Sequence, residues 1–304
     1  MVRACHVLFS ANLGRARVNA QDALKAASAL EIIHSSLLVH DDIMDRDLLR
    51  RGEKTIFAQY QELAEREGLG DTYHFGESLG VCVGDIGFFL AFKLLSELSV
   101  DSRTKNKIIE NFVKDIVLVG LAQMQDVYLG YLPNQPQEIE VMKVHRYKTA
   151  RYTFSLPFEV GARLAQLDDK VIEKLSELGE YLGIIFQIKD DEMGIFGTEE
   201  EIRKPAGSDV KENKKTLFSI YLFNESNEQE KTFLKSVFGS QHLTKEQLQE
   251  IRAMIEVKGI RVKVLKEVEA YARKAKEIID VIGISEVDKQ TLRDLLDYNC
   301  GRVV

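Results

Sequence analysis

Apolar residues return every three or four positions through most of the chain, the spacing of one face of an α-helix. Leu24, Ala27, Leu30, Ile33 and Leu37 form one such stripe, and Leu175, Leu178, Leu182, Ile185 and Phe186 another. The best strand-like alternation, Ile260-Arg261-Val262-Lys263-Val264, runs straight into the helical series Leu265, Val268, Ala272, Ala275 and Ile279. The pattern therefore predicts a helix opening just after Gly259. Four prolines leave few forced breaks. Loops are expected at residues 67–80, with four glycines, at 130–137, with two prolines, and at 197–213, where charge, Gly and Pro mix. No internal repeat or low-complexity tract divides the sequence, so an all-α fold in a single domain over residues 1–304 is expected.

A chain of 304 residues can bury a large core without disulfides or structural metal. Cys5, Cys82 and Cys300 have neither the even count of a disulfide framework nor zinc-site spacing, which points to a reducing cytoplasm. Carboxylates outnumber Lys and Arg by 48 to 41, giving a net charge of −7 and arguing against nucleic acid as the main partner. No uninterrupted apolar run is long enough for a membrane span, and Met1 to His6 carry no signal-peptide pattern. A cytoplasmic protein is expected.

Candidate chemistry enters at Asp41-Asp42-Ile43-Met44-Asp45, which closes the apolar stripe from Gln21 to His40. On a helix Asp41 and Asp45 lie about 40° apart on one face, with His34 between them in direction two turns earlier. Two carboxylates so placed repel unless a cation separates them, and hard oxygen ligands favour Mg²⁺ over zinc. The same motif returns in Leu182 to Gly194, where Asp190-Asp191-Glu192 ends another apolar helix. There Gly183, Gln187, Asp190 and Gly194 form one stripe, small at both ends and polar in the centre, suited to close approach of a ligand. If the two helices face each other across a bundle, their carboxylates enclose a site for divalent metal, whose open positions go to substrate phosphates. The expected ligand is therefore a diphosphate or triphosphate, and the lack of a Walker-type loop or kinase signature argues against a nucleotide enzyme.

Basic residues flank both clusters: Arg50-Arg51-Gly52 after the first, Lys204, Lys214 and Lys215 after the second, and Lys148-Thr149 between them. As a set they suit phosphate oxygens. The segment from His34 to Gly52 closely resembles the first aspartate-rich region of the trans-isoprenyl diphosphate synthases, and Phe186-Gln187-Ile188-Lys189-Asp190-Asp191 resembles their second. Gln123-Met124-Gln125-Asp126 and Lys148-Thr149-Ala150 stand between in the family's order, and Lys204 to Thr216 is similar to its late Lys-rich loop. The overall pattern is most like the archaeal geranylgeranyl diphosphate synthases.

That resemblance implies an all-helical isoprenoid-synthase bundle around a deep central cavity, and head-to-tail condensation of an allylic diphosphate (DMAPP, GPP or FPP) with isopentenyl diphosphate. It implies Asp41, Asp45 and Asp190 as ligands of several Mg²⁺ ions, with Asp42 and Asp191 as further candidates and Mn²⁺ as a substitute metal. Arg50, Lys148, Thr149, Gln187, Lys204 and Lys214 would hold the allylic diphosphate, and Arg3, His34 and Arg51 the isopentenyl diphosphate. Ser36 and Leu37 would help floor the pocket, a small Ser36 leaving depth for a C20 or longer product. The family also implies a homodimer.

Departures from the family pattern sharpen the expectations. The Gly-Gly-Lys that precedes the isopentenyl-binding Arg, and the helix before it, have no counterpart ahead of Arg3, so weak isopentenyl diphosphate binding is expected. Gly194 stands where many relatives carry an Asp, and Asn213 replaces a common Gly whose positive φ an Asn tolerates. The aromatics of Gly87 to Phe92 are expected in the core. A terpene cyclase would share the fold and first motif, but Lys189-Asp190-Asp191-Glu192 lacks its usual second motif. A non-catalytic partner subunit of a prenyl synthase is the remaining alternative.

Overall fold

A computed structural model describes residues 1–14, 18–198, 207–240 and 242–302. The described residues are overwhelmingly helical, and their contacts group them into two compact units, residues 1–110 with 160–166 and residues 111–159 with 167–304.

In the first unit, α1 (Val2–Ala11) packs on α2 (Ala20–Asp45), which also meets α3 (Ile56–Arg66) and α4 (Thr72–Ser96). Helix α2 starts where the Asn19 side chain accepts a hydrogen bond from the Gln21 N–H and stops at Arg46, whose left-handed conformation (φ 58°) turns the chain out. Of the apolar stripe seen in the sequence, Ala27, Leu30 and Ile33 are buried, Leu37 is half-buried and Leu24 is exposed. The helix runs five residues past His40, so the first aspartates form its closing turns rather than the loop beyond it. A two-strand hairpin follows, β1 (Leu49–Arg50) against β2 (Glu53–Lys54). Its two turn residues, Arg51 and Gly52, both have positive φ (55° and 82°), as a tight hairpin with right-handed strand twist requires.

The expected loop at 67–80 is helical from Thr72 onward, capped by the Asp71 carboxylate accepting from the His74 N–H. Its glycines serve close packing instead of a turn. A Cβ on Gly76 would lie 2.5 Å from the Phe57 carbonyl oxygen, one on Gly84 2.2 Å from His40 Nε2, and one on Gly87 2.0 Å from Ser36 Oγ. With Gly80, whose Cβ would meet Ile43 and Phe57, these glycines are spaced by four, four and three and form the seam that lets α4 press onto α2 and α3. Among the described residues α4 alone is long and apolar enough to cross a membrane, by length and composition only. Of the aromatic run expected in the core, Phe89 is turned out at 76% exposed while Phe88 and Phe92 are half-buried, because the seam claims the opposite face of the helix.

The second unit holds most of α5 (Ser102–Tyr131), then α6 (Glu138–Val144) and a π-helix over His145–Ser155 that leads into α7 (Leu156–Leu164). Next come α8 (Asp169–Phe196), the single turn α9 (Ser208–Lys211), α10 (Leu217–Glu225), α11 (Glu228–Val237), α12 (Lys245–Val257), α13 (Ile260–Val281) and α14 (Glu286–Gly301). Helix α13 opens after Gly259 (φ 67°), as the sequence predicts. The gap from Tyr131 to Glu138 matches the expected loop there. Helix α8 lies between the π-helix on one side and α13 and α14 on the other. Toward the π-helix, Gly179 and Gly183 leave no room for a side chain: a Cβ would lie 2.7 Å from the Ser155 Cα and 2.4 Å from the Ala150 Cα. Buried charges around it are paired, as burial demands: Arg151 with Asp115 and Glu180, and Lys189 with Glu192, which also accepts from Arg261.

Candidate active site

In the first unit the carboxylates at the end of α2 divide by depth. Asp42 points inward and is buried, whereas Asp41 and Asp45 are half-exposed. The hairpin swings Arg50 back over them: its Nε donates to Asp42 Oδ1 at 2.6 Å, its Nη2 lies 2.5 Å from the same oxygen and 3.6 Å from Asp41 Oδ2. Burial still pushes the Asp42 carboxyl up to about 6, the Arg50 charge opposing it and Asp41 and Asp47 adding to it. Two turns back along α2, burial holds the His34 imidazole down to about 3, helped by the charges of Arg3, Arg51 and Arg50. Arg3, buried on α1, and the hairpin arginine Arg51 thus both lie near enough to His34 for their charges to act on its ring. These three are the residues expected to hold isopentenyl diphosphate.

Ser36, one of the two expected pocket-floor residues, is buried, its hydroxyl donating to the Ile32 carbonyl beneath Gly87 of α4. Leu37 is half-buried.

In the second unit, the π-helix carries Lys148 and Thr149, and α8 carries Gln187, Asp190 and Asp191. Lys148 Nζ lies 2.5 Å from Asp126 Oδ2, which comes from the Gln123-to-Asp126 motif of α5. The Thr149 hydroxyl donates to Gln187 Oε1 at 2.7 Å, and Gln187 Nε2 donates to Asp191 Oδ1 at 2.8 Å. His145 Nε2 stands 3.1 Å from the other Asp191 oxygen, and both residues are at least 95% buried. The adjacent Asp190 is outward, its carboxylate 55% exposed and 3.8 Å from Arg302 Nη2. Arg302 also lies over the Phe186 ring at 4.2 Å.

The stripe expected to admit a ligand is therefore only partly open. Gly183 meets the π-helix backbone and Gln187 meets Thr149, while a Cβ on Gly194 would lie 2.3 Å from Asp209 Oδ2. The space of the missing carboxylate at position 194 is thus taken by another one, from α9. Burial pushes Asp209 up to about 7, with Lys214 opposing and Asp191, Glu212 and Asp190 adding to the rise. Lys214 stands 3.7 Å from Asp209 and 2.8 Å from Glu212. Asn213 does adopt positive φ (53°), and its side chain donates to the Gly130 carbonyl. Lys204 lies outside the described residues.

The donor set fits Mg²⁺. Both motifs offer carboxylate oxygens, the hard ligands that this ion prefers. Among the described residues no three His, Cys, Asp or Glu side chains form a ready cage. Ligands offered in ones and twos suit an ion that keeps positions for water and phosphate.

Three of these residues carried no expected role: His145, Asp209 and Arg302. His145 is two residues before the Lys-Thr motif, but its contact with Asp191 depends on the wide turn of the π-helix, which hydrophobic periodicity does not reveal.

Residues 1–255 match the polyprenyl synthetase family. A geranylgeranyl diphosphate synthase of Saccharolobus solfataricus is 36% identical over 77% of this chain and 66% of its own. A short chain isoprenyl diphosphate synthase of Methanocaldococcus jannaschii is 28% identical over 76% of this chain and 64% of its own. These alignments thus span just under two thirds of each relative's length. A geranylgeranyl pyrophosphate synthase from Corynebacterium glutamicum, solved with isoprenyl diphosphate and magnesium, superposes with a TM-score of 0.92 at 25% identity, covering 99% of this chain and 86% of that one. The chain belongs to the polyprenyl synthetase family and has its all-α fold.

Proposed function

We propose that this member of the family is a trans-prenyl diphosphate synthase, condensing isopentenyl diphosphate with an allylic diphosphate to a product of C20 or longer. The observation that carries the reading is the closing of α2 by Asp41 and Asp45, with His34 two and three turns earlier on the same helix under the charges of Arg3 and Arg51. Neutral His34 donates or accepts a hydrogen bond at an anion without adding charge, while the two arginines offer forked donors to diphosphate oxygens.

Asp41, Asp45 and Asp190 would hold magnesium, which when bound neutralises charge on a departing diphosphate. Arg50, Lys148 and Lys214 are each paired with carboxylates at rest, so an arriving diphosphate exchanges one anionic partner for another and no bare cation has to be buried. Thr149 and Gln187 would meet the same allylic diphosphate as neutral groups. The proton lost after carbon–carbon bond formation passes to the released diphosphate, so no side-chain base is required. An apolar cavity that excludes water would protect the cation.

A homodimer fits the surface of α5, where Val113, Val117, Leu121, Met124 and Tyr128 stand exposed along one helical stripe. A cytoplasmic setting accords with the three unpaired cysteines.

The test is incubation of purified protein with Mg²⁺, labelled isopentenyl diphosphate and each allylic primer in turn. Elongated prenyl diphosphates, with C20 or longer dominant, are the expected products. Hydrocarbon products would indicate a cyclase, and no turnover by the protein alone would overturn the reading.

A further inference from the structure

The second aspartate motif contains two adjacent carboxylates with opposite surroundings, Asp190 facing outward and Asp191 sealed inside. One Asp191 oxygen accepts from Gln187 and the other faces His145 at 3.1 Å. An ionised carboxylate only accepts hydrogen bonds, so Gln187 must turn its NH₂ toward Asp191 and its carbonyl oxygen toward Thr149. Thr149 then commits its proton to Gln187, and its oxygen lone pairs are left to face whatever lies beyond. The carboxylate's negative charge is thereby passed through two aligned dipoles to a neutral hydroxyl oxygen.

That alignment lasts only while Asp191 stays buried. Freed to rotate, it would release Gln187, whose amide could then present either end to Thr149. His145, whose Nε2 lies 3.1 Å from the second Asp191 oxygen without the alignment of a hydrogen bond, is the side chain placed to oppose this rotation. It sits at the first position of the π-helix, where the wide turn brings residues 145, 149 and 150 onto the face that meets 191, 187 and 183 of α8.

We propose that His145 is a positioning residue: it anchors Asp191 as the fixed end of an Asp191–Gln187–Thr149 chain that keeps an electron-rich oxygen turned toward the allylic carbon. Asp191 in this arrangement orients Gln187 and leaves metal binding in the second motif to Asp190. The inference rests on the prenyl synthase reading for the identity of the carbon, and on geometry alone for the anchoring.

The test compares His145→Leu, which keeps apolar bulk but removes Nε2, with His145→Gln, whose amide nitrogen can reach the same place. His145→Leu is expected to lower kcat by about tenfold to a hundredfold, in the range of orienting partners, with KM for both diphosphates unchanged. His145→Gln should restore most of kcat. Asp191→Asn should lower kcat without raising the Mg²⁺ concentration needed for half-maximal rate, and this holds the test open if the leucine variant does not fold. Full kcat in His145→Leu, an equal loss in His145→Gln, or a higher Mg²⁺ requirement in Asp191→Asn would each overturn the proposal. If the wild-type protein elongates no primer, the prenyl synthase reading fails, and crystal structures of wild type and variant decide the anchoring separately. A Gln187 amide swung away from Thr149 in His145→Leu supports it, and an unmoved Asp191–Gln187–Thr149 chain refutes it.

Discussion

In the first aspartate motif the inward carboxylate, Asp42, is held by a charged partner on a hairpin; in the second, the inward carboxylate, Asp191, is held by a histidine and an amide on packed helices. Arg50 reaches Asp42 from a strand of two residues, and its long side chain can leave for another anion. The contacts of Asp191 come from α8 itself and from a π-helix pressed against it through Gly179 and Gly183, with no slack to move. One motif is built to exchange partners and the other to keep them. Asp41, Asp45 and Asp190 are the less buried carboxylates of the two motifs.

Removing an outward carboxylate should have the largest effect and should be equal in the two motifs. Asp45→Ala and Asp190→Ala are each expected to cost about 10²–10³ in kcat, the scale for losing one preorganised charge-stabilising group, with a raised Mg²⁺ requirement read from metal titrations of the rate. A loss confined to one of them would break the symmetry.

The packing behind the motifs should separate them. Gly183→Ala drives a methyl into the Ala150 backbone and should destabilise the protein by about 1–3 kcal/mol, measured as a shift in urea midpoint. Gly87→Ala meets the Ser36 hydroxyl, which can rotate aside, so its shift should be smaller. Ser36→Phe, the substitution that pocket-floor reasoning suggests for shortening the product, must first displace α4 at the same contact. Its product spectrum should therefore be read only beside its melting temperature.

Arg50→Gln leaves Asp42 buried without its cation and should cost about 1–3 kcal/mol at neutral pH, where the carboxyl is largely ionised. Adding Asp42→Asn should recover most of that, since no charge is then buried. Recovery by the second substitution, seen in equilibrium unfolding, would confirm that the pair is exchangeable.

The smallest effect concerns His34. Its imidazole is kept neutral in the fold, from an ordinary value of 6.5 down to about 3, so the unfolded chain binds a proton that the folded one does not. The resulting contribution to stability is complete above pH 6.5 and is lost as pH falls toward 3. His34→Asn should flatten the pH dependence of the melting temperature across that window.

Much of this was legible in the sequence where function and periodicity coincide. The α2 and α8 stripes, the helix after Gly259 and the aspartates closing two apolar helices were all visible, because a 3.6-residue period shows which side is buried. The four glycines from Gly68 to Gly80 misled, since two of them, Gly76 and Gly80, lie in α4 and are small for the sake of a neighbouring helix, which a single sequence does not display. Phe89 misled for the same reason, its apolar character pointing to burial while the seam decided the facing. His145 was out of reach because its role follows from a backbone with a different turn. Asp209 was out of reach because its role follows from an empty space at Gly194.

The seam between α2 and α4 has one more consequence. Each glycine there accepts one particular knob from the opposing rod, Gly84 seating His40 and Gly87 seating Ser36, so sliding one rod along the other by even a residue would lift every knob onto a ridge. The distance along α2 from Asp41 to Ser36, five residues and about 7.5 Å of helical rise, is accordingly a graduation on a fixed gauge. If Ser36 floors the substrate pocket, a change in product length would have to come from exchanging side chains at these marks, because the ruler itself does not stretch.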